Sequence, residues 1–259
     1  IVPTNWSHVE RRQFMDTFIP LRYQVADAQN LIVKEAIERE FEWLLLLEHD
    51  VVLPPDAFIR LNEYMTAESA PVVSGLYFTR SVPSEPLIYR GRGTGSYRDW
   101  KLGDLVYCDG VPTGILLIDM RVMRLMWQDS PEYTIQYPGG QPATARRVFD
   151  TPRDLWRDPE SAEVYTMTGT SDLDWCTRLI EGGYLRKAGW GAYLDKLEDE
   201  RYPLLVDTNI FCRHINPDGG QFPGVEYLAP HVRVEIETSP ADLSINLSDS
   251  VGMMDRVGG

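Results

Sequence analysis

The pattern of apolar and polar positions predicts one amphipathic helix followed directly by a buried strand. Over residues 23–40, apolar side chains recur three to four positions apart, which is the spacing of one helix face. Residues 43–47 then form a continuous apolar run bounded by charged residues. Such a run is typical of a central strand that is buried on both faces of a sheet. It ends abruptly at Glu48, His49 and Asp50.

Strands and helices continue to alternate and predict the fold class. The pattern predicts the end of a short strand at residues 1–3 and another strand at residues 72–77. Between them, a second helix opens at residues 54–56 with a proline in its first turn. This order favours a parallel sheet covered by helices. We therefore expect an α/β protein with a Rossmann-like, mainly parallel sheet that helices flank on both faces.

The rest of the chain predicts a single domain with an extension. Residues 115–118 form a further strand and residues 172–181 a further helix, whereas residues 129–168 lack a clean period and predict a long surface excursion. No break in composition demands a second domain. We assign residues 1–216 to one domain and residues 217–259 to a loop-rich, partly irregular C-terminal extension.

Charge and composition exclude several classes of partner. The 259 residues include 25 Lys and Arg against 39 Asp and Glu, for a formal net charge of −14. Nucleic acids are bound by clustered basic residues, and no basic run here exceeds two, so a nucleic-acid partner is disfavoured. The apolar runs are far shorter than the roughly 20 residues that span a bilayer. We expect no membrane span.

The cellular compartment is predicted from two further features. No secretory signal is visible, and three cysteines are an odd and sparse set for a disulfide framework. We therefore expect a cytoplasmic protein. The sequence does not predict an oligomeric state.

The first candidate site follows the buried strand. In open α/β sheets, ligands bind in the crevice beyond the carboxyl ends of the strands. Glu48 and Asp50 stand at such an end and offer oxygen ligands to a hard divalent cation. The alternative interpretation is an acidic turn with no ligand.

The second candidate site is a pair of acids at a helix start. Asp172 and Asp174 are two positions apart, so they diverge by roughly 200° on a helix and one can face a pocket while the other is solvated. The alternative interpretation is that both simply complement the positive end of the helix dipole.

The third candidate is a histidine at the end of a late strand. His214 could complete the coordination of a divalent metal. The neighbouring Cys212 also invites a zinc interpretation, but no second closely spaced ligand pair accompanies it.

The order and spacing of these features resemble those of GT-A glycosyltransferases, particularly the family 2 type. In that family an acidic Asp-x-Asp-like motif follows an apolar strand and precedes a Pro-Asp-Ala helix. Residues 43–57 are similar to this unit, residues 110–119 to the glycine turn and strand that line the sugar pocket, and residues 171–178 to the segment that carries the general base. Residues 209–214 are similar to the late strand that ends in a metal-binding histidine.

The resemblance implies a role for each matching residue. Asp50 would bind Mn²⁺ or Mg²⁺ bridging the diphosphate of a nucleoside-diphosphate sugar, with His214 and Glu48 as further metal ligands. Asp172 would be the general base for the acceptor hydroxyl, with Asp174 in reserve. The implied reaction is inverting transfer of a sugar to that hydroxyl.

The resemblance also implies a nucleotide site. Glu48 would lie near the donor ribose or sugar. The other residues implied in donor binding are Pro3, Thr4, Asn5, Asn30 and Gly114. We expect the acceptor, a glycan or another hydroxyl compound, to be recognised by residues 81–103 and 129–168, because long loops over a rigid sheet commonly carry specificity.

Two alternative functions remain open at this point. A sugar-phosphate nucleotidyltransferase shares the architecture, but residues 4–12 lack the glycines of its triphosphate loop. A non-catalytic carbohydrate-binding module would use aromatic residues such as Tyr97 and Trp100 to stack on sugar rings.

Overall fold

The computed structural model describes residues 23–81, 83–91, 95–136, 142–157, 159, 164–215 and 220–223. The predicted first strand lies outside these residues, together with Pro3, Thr4 and Asn5. So does nearly all of the 217–259 extension.

The helices match those that the apolar spacing predicts at 23–40, after 54 and at 172–181. In the described part of the chain the helices are α1 Val25–Glu38, α2 Ala57–Ala67, α3 Met120–Asp129, α4 Ser171–Glu181, α5 Tyr184–Lys187 and α6 Gly191–Leu194.

The strands include the predicted runs at 43–47, 72–77 and 115–118. Over the same residues they are β1 Trp43–Leu47, β2 Val51–Val52, β3 Val72–Leu76, β4 Leu105–Cys108, β5 Ile115–Asp119, β6 Glu132–Ile135, β7 Ala143–Arg146, β8 Arg153–Arg157, β9 Val164–Thr168, β10 Leu204–Phe211, β11 Arg213–Ile215 and β12 Gln221–Phe222.

The α/β class is confirmed, but the sheet is not mainly parallel in the described residues. Its five strands lie in the order β1-β5-β3-β10-β4. Only the β3–β10 pair is parallel, and the other three pairs of this described sheet are antiparallel. The apolar run 43–47 predicts a central strand, but β1 lies at the edge of the described sheet. β5 inserts between β1 and β3 and runs in the opposite direction to both.

The insertion leaves three strands with a shared direction. β1 and β3 each run antiparallel to β5, so they run the same way, and β10 is parallel to β3. The carboxyl ends of β1, β3 and β10 therefore meet at one edge of the sheet. This edge carries the candidate site.

Each face of the sheet is covered by apolar side chains, because side chains alternate along a strand. On one face Leu44, Leu116 and Val206 pack with residues of α1, α3 and α4 in the larger core cluster. On the other face Val73 and Leu117 pack with α2. β3 and β5 are buried over their whole length, as expected for strands in the middle of a covered sheet.

Two antiparallel hairpins lie within the predicted surface excursion over residues 129–168. β6 pairs with β7, and β8 pairs with β9. The first hairpin buries only Ile135 and Ala145, in a small cluster against Leu31 of α1. Such short strands contribute too few buried positions to show a period in the sequence.

A small second sheet extends the site edge. β11 lies between β2 and β12 and is antiparallel to both. Residues 221–222 of the predicted extension thus pair with the domain. Among the described helices, none has the length and apolar character needed to cross a membrane.

Candidate metal centre

Backbone pairing brings two distant segments of the chain together at the site edge. The turn after β1 carries Glu48 and Asp50 and leads into β2, whose Val51 pairs with His214 of β11. The amide of Ile215 also donates a 2.8 Å hydrogen bond to the carbonyl oxygen of Asp50. The sequence neighbours of Asp50 and His214 are therefore fixed side by side by main-chain bonds.

The three predicted metal ligands converge. One ligand atom each from Glu48, Asp50 and His214 lies within 4.8 Å of the others. In the described residues this is the cluster of His, Cys, Asp or Glu that has the geometry to hold a metal ion. The predicted convergence of these three residues is thus found.

Tyr77, the first residue after β3, joins two of these ligands. Its hydroxyl donates to Glu48 Oε2 at 3.0 Å and contacts Nε2 of His214. The two rings pack in a tilted arrangement, with centroids 4.1 Å apart and an interplanar angle of 43°. Burial, followed by the charge of Glu48 and the hydrogen bond to it, raises the pKa of Tyr77 well above its usual value. Tyr77 is therefore a neutral phenol that orients the carboxylate and the imidazole.

His214 is buried and uncharged at neutral pH. Burial is the main cause that lowers its pKa to about 4, and the positive charge of Arg80 adds to this effect. The backbone of Phe78 opposes the shift, although no hydrogen bond of normal geometry reaches Nδ1. A neutral imidazole is the form of histidine that coordinates a metal.

Arg80 forms an ion pair with the Oδ2 atom of Asp50. The Arg80 side chain is 42 % exposed and the Asp50 side chain 20 % exposed. Partly exposed pairs of this kind contribute about 0.2–1 kcal/mol to stability. The guanidinium thus neutralises a candidate metal ligand without binding it strongly.

Gly114 supports the site through close packing. Its carbonyl oxygen accepts a 3.0 Å hydrogen bond from the amide of Glu48. A Cβ atom on Gly114 would overlap the ring of Tyr77. The predicted sugar-lining glycine is therefore also the residue that lets Tyr77 approach the turn after β1.

Asp172 lies in the first turn of α4, outside the metal cluster. Its Oδ1 accepts a 2.9 Å hydrogen bond from the amide of Leu173. The side chain is partly exposed, and its charge contributes, after burial, to the raised pKa of Tyr89. The neighbouring Leu173 packs close to Gly110, in the turn that leads to Gly114. The turn that contains Gly110 and Gly114 therefore contacts Leu173, next to Asp172, and accepts a hydrogen bond from Glu48.

Asp174 has a different environment. It forms an i,i+4 ion pair with Arg178 at 2.8 Å, and Arg178 also donates to the carbonyl oxygens of Arg147 and Val148. These contacts anchor α4 to the segment that precedes β8. They support a structural role for Asp174 and leave Asp172 as the available carboxylate of the pair.

Asn30 is fully buried in α1. Its Nδ2 donates to Phe149 O and to the Tyr133 hydroxyl, and its Oδ1 accepts from the amide of Phe149. Its amide therefore ties α1 to Phe149 and Tyr133. Pro3, Thr4 and Asn5, the other predicted base contacts, lie outside the described residues.

The three cysteines do not support the zinc alternative. Cys108, Cys176 and Cys212 are buried free thiols. Burial raises the pKa of each thiol and disfavours the thiolate that zinc would need. None belongs to a metal-ligating cluster in the part of the chain that the structure describes.

Tyr77 and Arg80 are the site residues that sequence reasoning missed. Neither is a usual metal ligand, so a search for acids and histidines passes over them. The available signal was position, since both follow β3, which ends at the same edge as β1 and β10.

Comparison with known proteins gives little further information. No protein-family model and no curated protein matches the chain. Among solved structures, the chain is similar to "Crystal Structure of A197 from STIV" at 13 % sequence identity and a TM-score of 0.42. The match covers 82 % of this chain and 79 % of that one.

Proposed function

We propose that the protein is a metal-dependent glycosyltransferase. It transfers a sugar from a nucleoside-diphosphate sugar to an acceptor hydroxyl with inversion at the anomeric carbon. The observation that carries this proposal is the convergence of Glu48, Asp50 and His214 within 4.8 Å at the edge where three strands end. The motif resemblance of residues 43–57 and 171–178 supports the choice of reaction.

The donor atoms fit a divalent cation. Two carboxylates supply oxygen and His214 supplies an imidazole nitrogen. Carboxylates suit Mg²⁺ and Mn²⁺, whereas an imidazole ligand favours the transition metal. We therefore expect Mn²⁺ to bind more tightly than Mg²⁺. When bound, the cation neutralises charge on the diphosphate leaving group.

The acidic site explains why a cation is required. The site places the carboxylates of Glu48 and Asp50 close together, and the chain as a whole carries a formal charge of −14. A diphosphate approaching these carboxylates alone is repelled. Donor binding is therefore expected to fail without metal, and EDTA is expected to abolish turnover.

Asp172 is the proposed general base. It accepts the proton of the acceptor hydroxyl as the hydroxyl oxygen forms its bond to the anomeric carbon. The bond from that carbon to the phosphate oxygen breaks, and its electron pair leaves with the nucleoside diphosphate. A positioned base of this kind contributes about 10²–10⁴-fold to the rate.

The test is hydrolysis of a panel of nucleotide sugars with and without Mn²⁺, together with thermal shifts caused by UDP or GDP. Wild type is expected to hydrolyse one donor only with metal and to be stabilised by metal plus its diphosphate. Asp50→Asn is expected to lose both effects. Asp56→Asn is the matched control, since Asp56 pairs with Arg60 at 2.6 Å and lies outside the cluster. No stabilisation by either diphosphate would contradict the proposal.

A second candidate function, carbohydrate binding, is favoured by a cleft of about 510 Å³ beside β4. Volumes of this size hold small organic ligands. The cleft is lined by the aromatic residues Tyr97, Trp100, Tyr107 and Tyr202, by the acids Asp99, Asp104, Glu198 and Asp199, and by Arg90 and Lys196, among others.

The lining favours a neutral, hydroxyl-rich ligand over a charged one. Excess carboxylates repel anions and accept hydrogen bonds from hydroxyls. The cation-binding faces of Tyr97 and Tyr202 are already occupied by Arg90, whose guanidinium carbon lies 5.0 Å and 4.4 Å from the two ring centroids. The partly exposed ring of Tyr107 offers an apolar platform for a sugar ring.

Saturation-transfer NMR with cellobiose, maltose and lactose tests this second function. At least one disaccharide is expected to bind wild type and Asp50→Asn equally, and Tyr107→Ala is expected to weaken that binding. Ile59→Ala, an exposed residue of α2, is the control for loss of a surface apolar side chain. Absence of binding by all three sugars would overturn the assignment of the cleft.

A further inference from the structure

We propose that Arg80 is an exchangeable counter-ion that passes from Asp50 to the donor diphosphate when the metal binds. In the metal-free protein its guanidinium holds the Asp50 carboxylate. The incoming cation displaces it, and the released guanidinium then binds a phosphate oxygen of the donor. The inference rests on the proposed function and adds a donor-binding residue to it.

The first step is competition for one carboxylate. Arg80 contacts Asp50 Oδ2, and Asp50 is one of three residues whose ligand atoms converge within 4.8 Å. The same guanidinium also acts electrostatically on the buried ring of His214. A cation that enters the cluster thus meets a positive charge already placed beside two of its ligands, and one of the two charges must move away.

The second step is movement of the Arg80 side chain without movement of its backbone. Arg80 lies in a turn whose flanks are fixed, because the amide of Thr79 donates to Glu85 O at 2.9 Å and that of Leu87 donates to Tyr77 O at 2.8 Å. Its side chain is 42 % exposed and has several rotatable bonds. The guanidinium can therefore swing by a few ångströms while the turn stays in place.

The third step is recognition of the diphosphate. A guanidinium offers a planar fork of N–H donors that matches two phosphate oxygens. The charges of Glu48 and Asp50 are balanced by one divalent cation, so the two negative charges of a sugar diphosphate remain to be met. Arg80, once released, is a nearby cation that meets one of them.

The exchange predicts effects of opposite sign from a single substitution. Arg80→Ala removes a competitor from Asp50, so Mn²⁺ without nucleotide is expected to bind about tenfold more tightly, as removal of a unit charge a few ångströms from a divalent ion implies. In Mn²⁺-saturated protein, the same variant is expected to bind UDP or GDP about tenfold more weakly, through loss of a charge-assisted hydrogen bond. Isothermal titration calorimetry measures both affinities.

Two further variants sharpen the experiment. Arg80→Lys keeps the charge but loses the fork, so it is expected to restore competition with Mn²⁺ and only part of the nucleotide affinity. Arg98→Ala is the matched control, because Arg98 is 47 % exposed and pairs with Glu85 of the same loop rather than with a candidate ligand. It is expected to leave both affinities at their wild-type values.

The outcomes separate this inference from the proposed function. If Arg80→Ala leaves Mn²⁺ affinity unchanged or lowers it, competition for Asp50 is refuted. If Mn²⁺ binds more tightly but nucleotide affinity is unchanged, transfer to the diphosphate is refuted. If neither wild type nor Arg80→Ala binds Mn²⁺, the metal-dependent function itself fails.

Discussion

The acidic pair at the end of β1 and the acidic pair at the start of α4 differ in where their partners come from. Glu48 and Asp50 are met by Tyr77, Arg80 and His214, which belong to other strand ends. The α4 pair is met within its own helix, Asp172 by the amide of Leu173 and Asp174 by Arg178.

The difference indicates which pair is built to hold a ligand. Long-range partners fix the β1 carboxylates in a shared geometry, and this arrangement brings like charges together at a cost that a cation can offset. The α4 carboxylates are held by contacts that any helix start provides. We therefore propose that the first pair holds the metal and that the more available member of the second pair transfers the proton.

The largest expected difference is between the two members of the α4 pair. Asp172→Asn keeps an oxygen for the Leu173 amide but removes the base, so turnover is expected to fall by about 10²–10⁴-fold with Mn²⁺ affinity unchanged. Asp174→Asn loses the ion pair with Arg178 and is expected to cost about 0.3–0.5 kcal/mol of stability with nearly normal turnover. Steady-state kinetics and chemical denaturation measure these effects. Equal losses of turnover in both variants would erase the distinction.

Loss of a long-range partner should weaken the metal site. Tyr77→Phe keeps the ring but removes the hydroxyl that contacts Glu48 and His214, and Mn²⁺ affinity is expected to fall about tenfold, as for other residues that orient metal ligands. Tyr64→Phe is the control, since its hydroxyl donates to Asp207 at 3.0 Å away from the cluster. Both variants lose one hydrogen bond to a carboxylate, so a matching loss of Mn²⁺ affinity in Tyr64→Phe would argue against the role of Tyr77.

The last expected effect concerns the packing beneath the β1 pair and is measured on stability. Gly114→Ala places a methyl group against the Tyr77 ring, and overpacking of this kind lowers the free energy of unfolding by about 1–3 kcal/mol. Gly95→Ala introduces the same methyl group where, among the described residues other than its chain neighbours, no atom lies within 4 Å. Urea denaturation is expected to separate the two variants. Equal stability would show that Tyr77 can shift freely and does not fix the ligands.

Much of the fold could be predicted because burial leaves a strong pattern. The run from Trp43 to Leu47 is apolar because its side chains pack into the clusters on both faces of the sheet, although β1 is an edge strand and Leu47 is 44 % exposed. Helix α1 shows its buried stripe directly. The direction of β5 could not be predicted, since an apolar strand has the same pattern whichever way it runs. The shared direction of β1 and β3 could nevertheless be predicted from the helix between them. That shared direction places the carboxyl ends of both strands at the site.

The candidate site was predictable only for residues whose chemistry is unusual at a strand end. Glu48, Asp50 and His214 carry metal-ligand groups, so their positions alone raised the hypothesis. Tyr77 and Arg80 act through contacts that depend on strand order. The contacts of Asn30 could not be predicted either, because its hydrogen bonds to Phe149 join two segments that no local sequence pattern connects.

Anomalous diffraction at the manganese edge, from crystals grown with Mn²⁺ and UDP or GDP, tests the central claim most directly. We predict one strong peak that is coordinated by Asp50 and by Glu48 or His214, at about the 2.0–2.6 Å typical of divalent cations with such ligands, and that also contacts the diphosphate. A peak elsewhere, or no peak between these residues at saturating metal, would contradict the proposed metal centre.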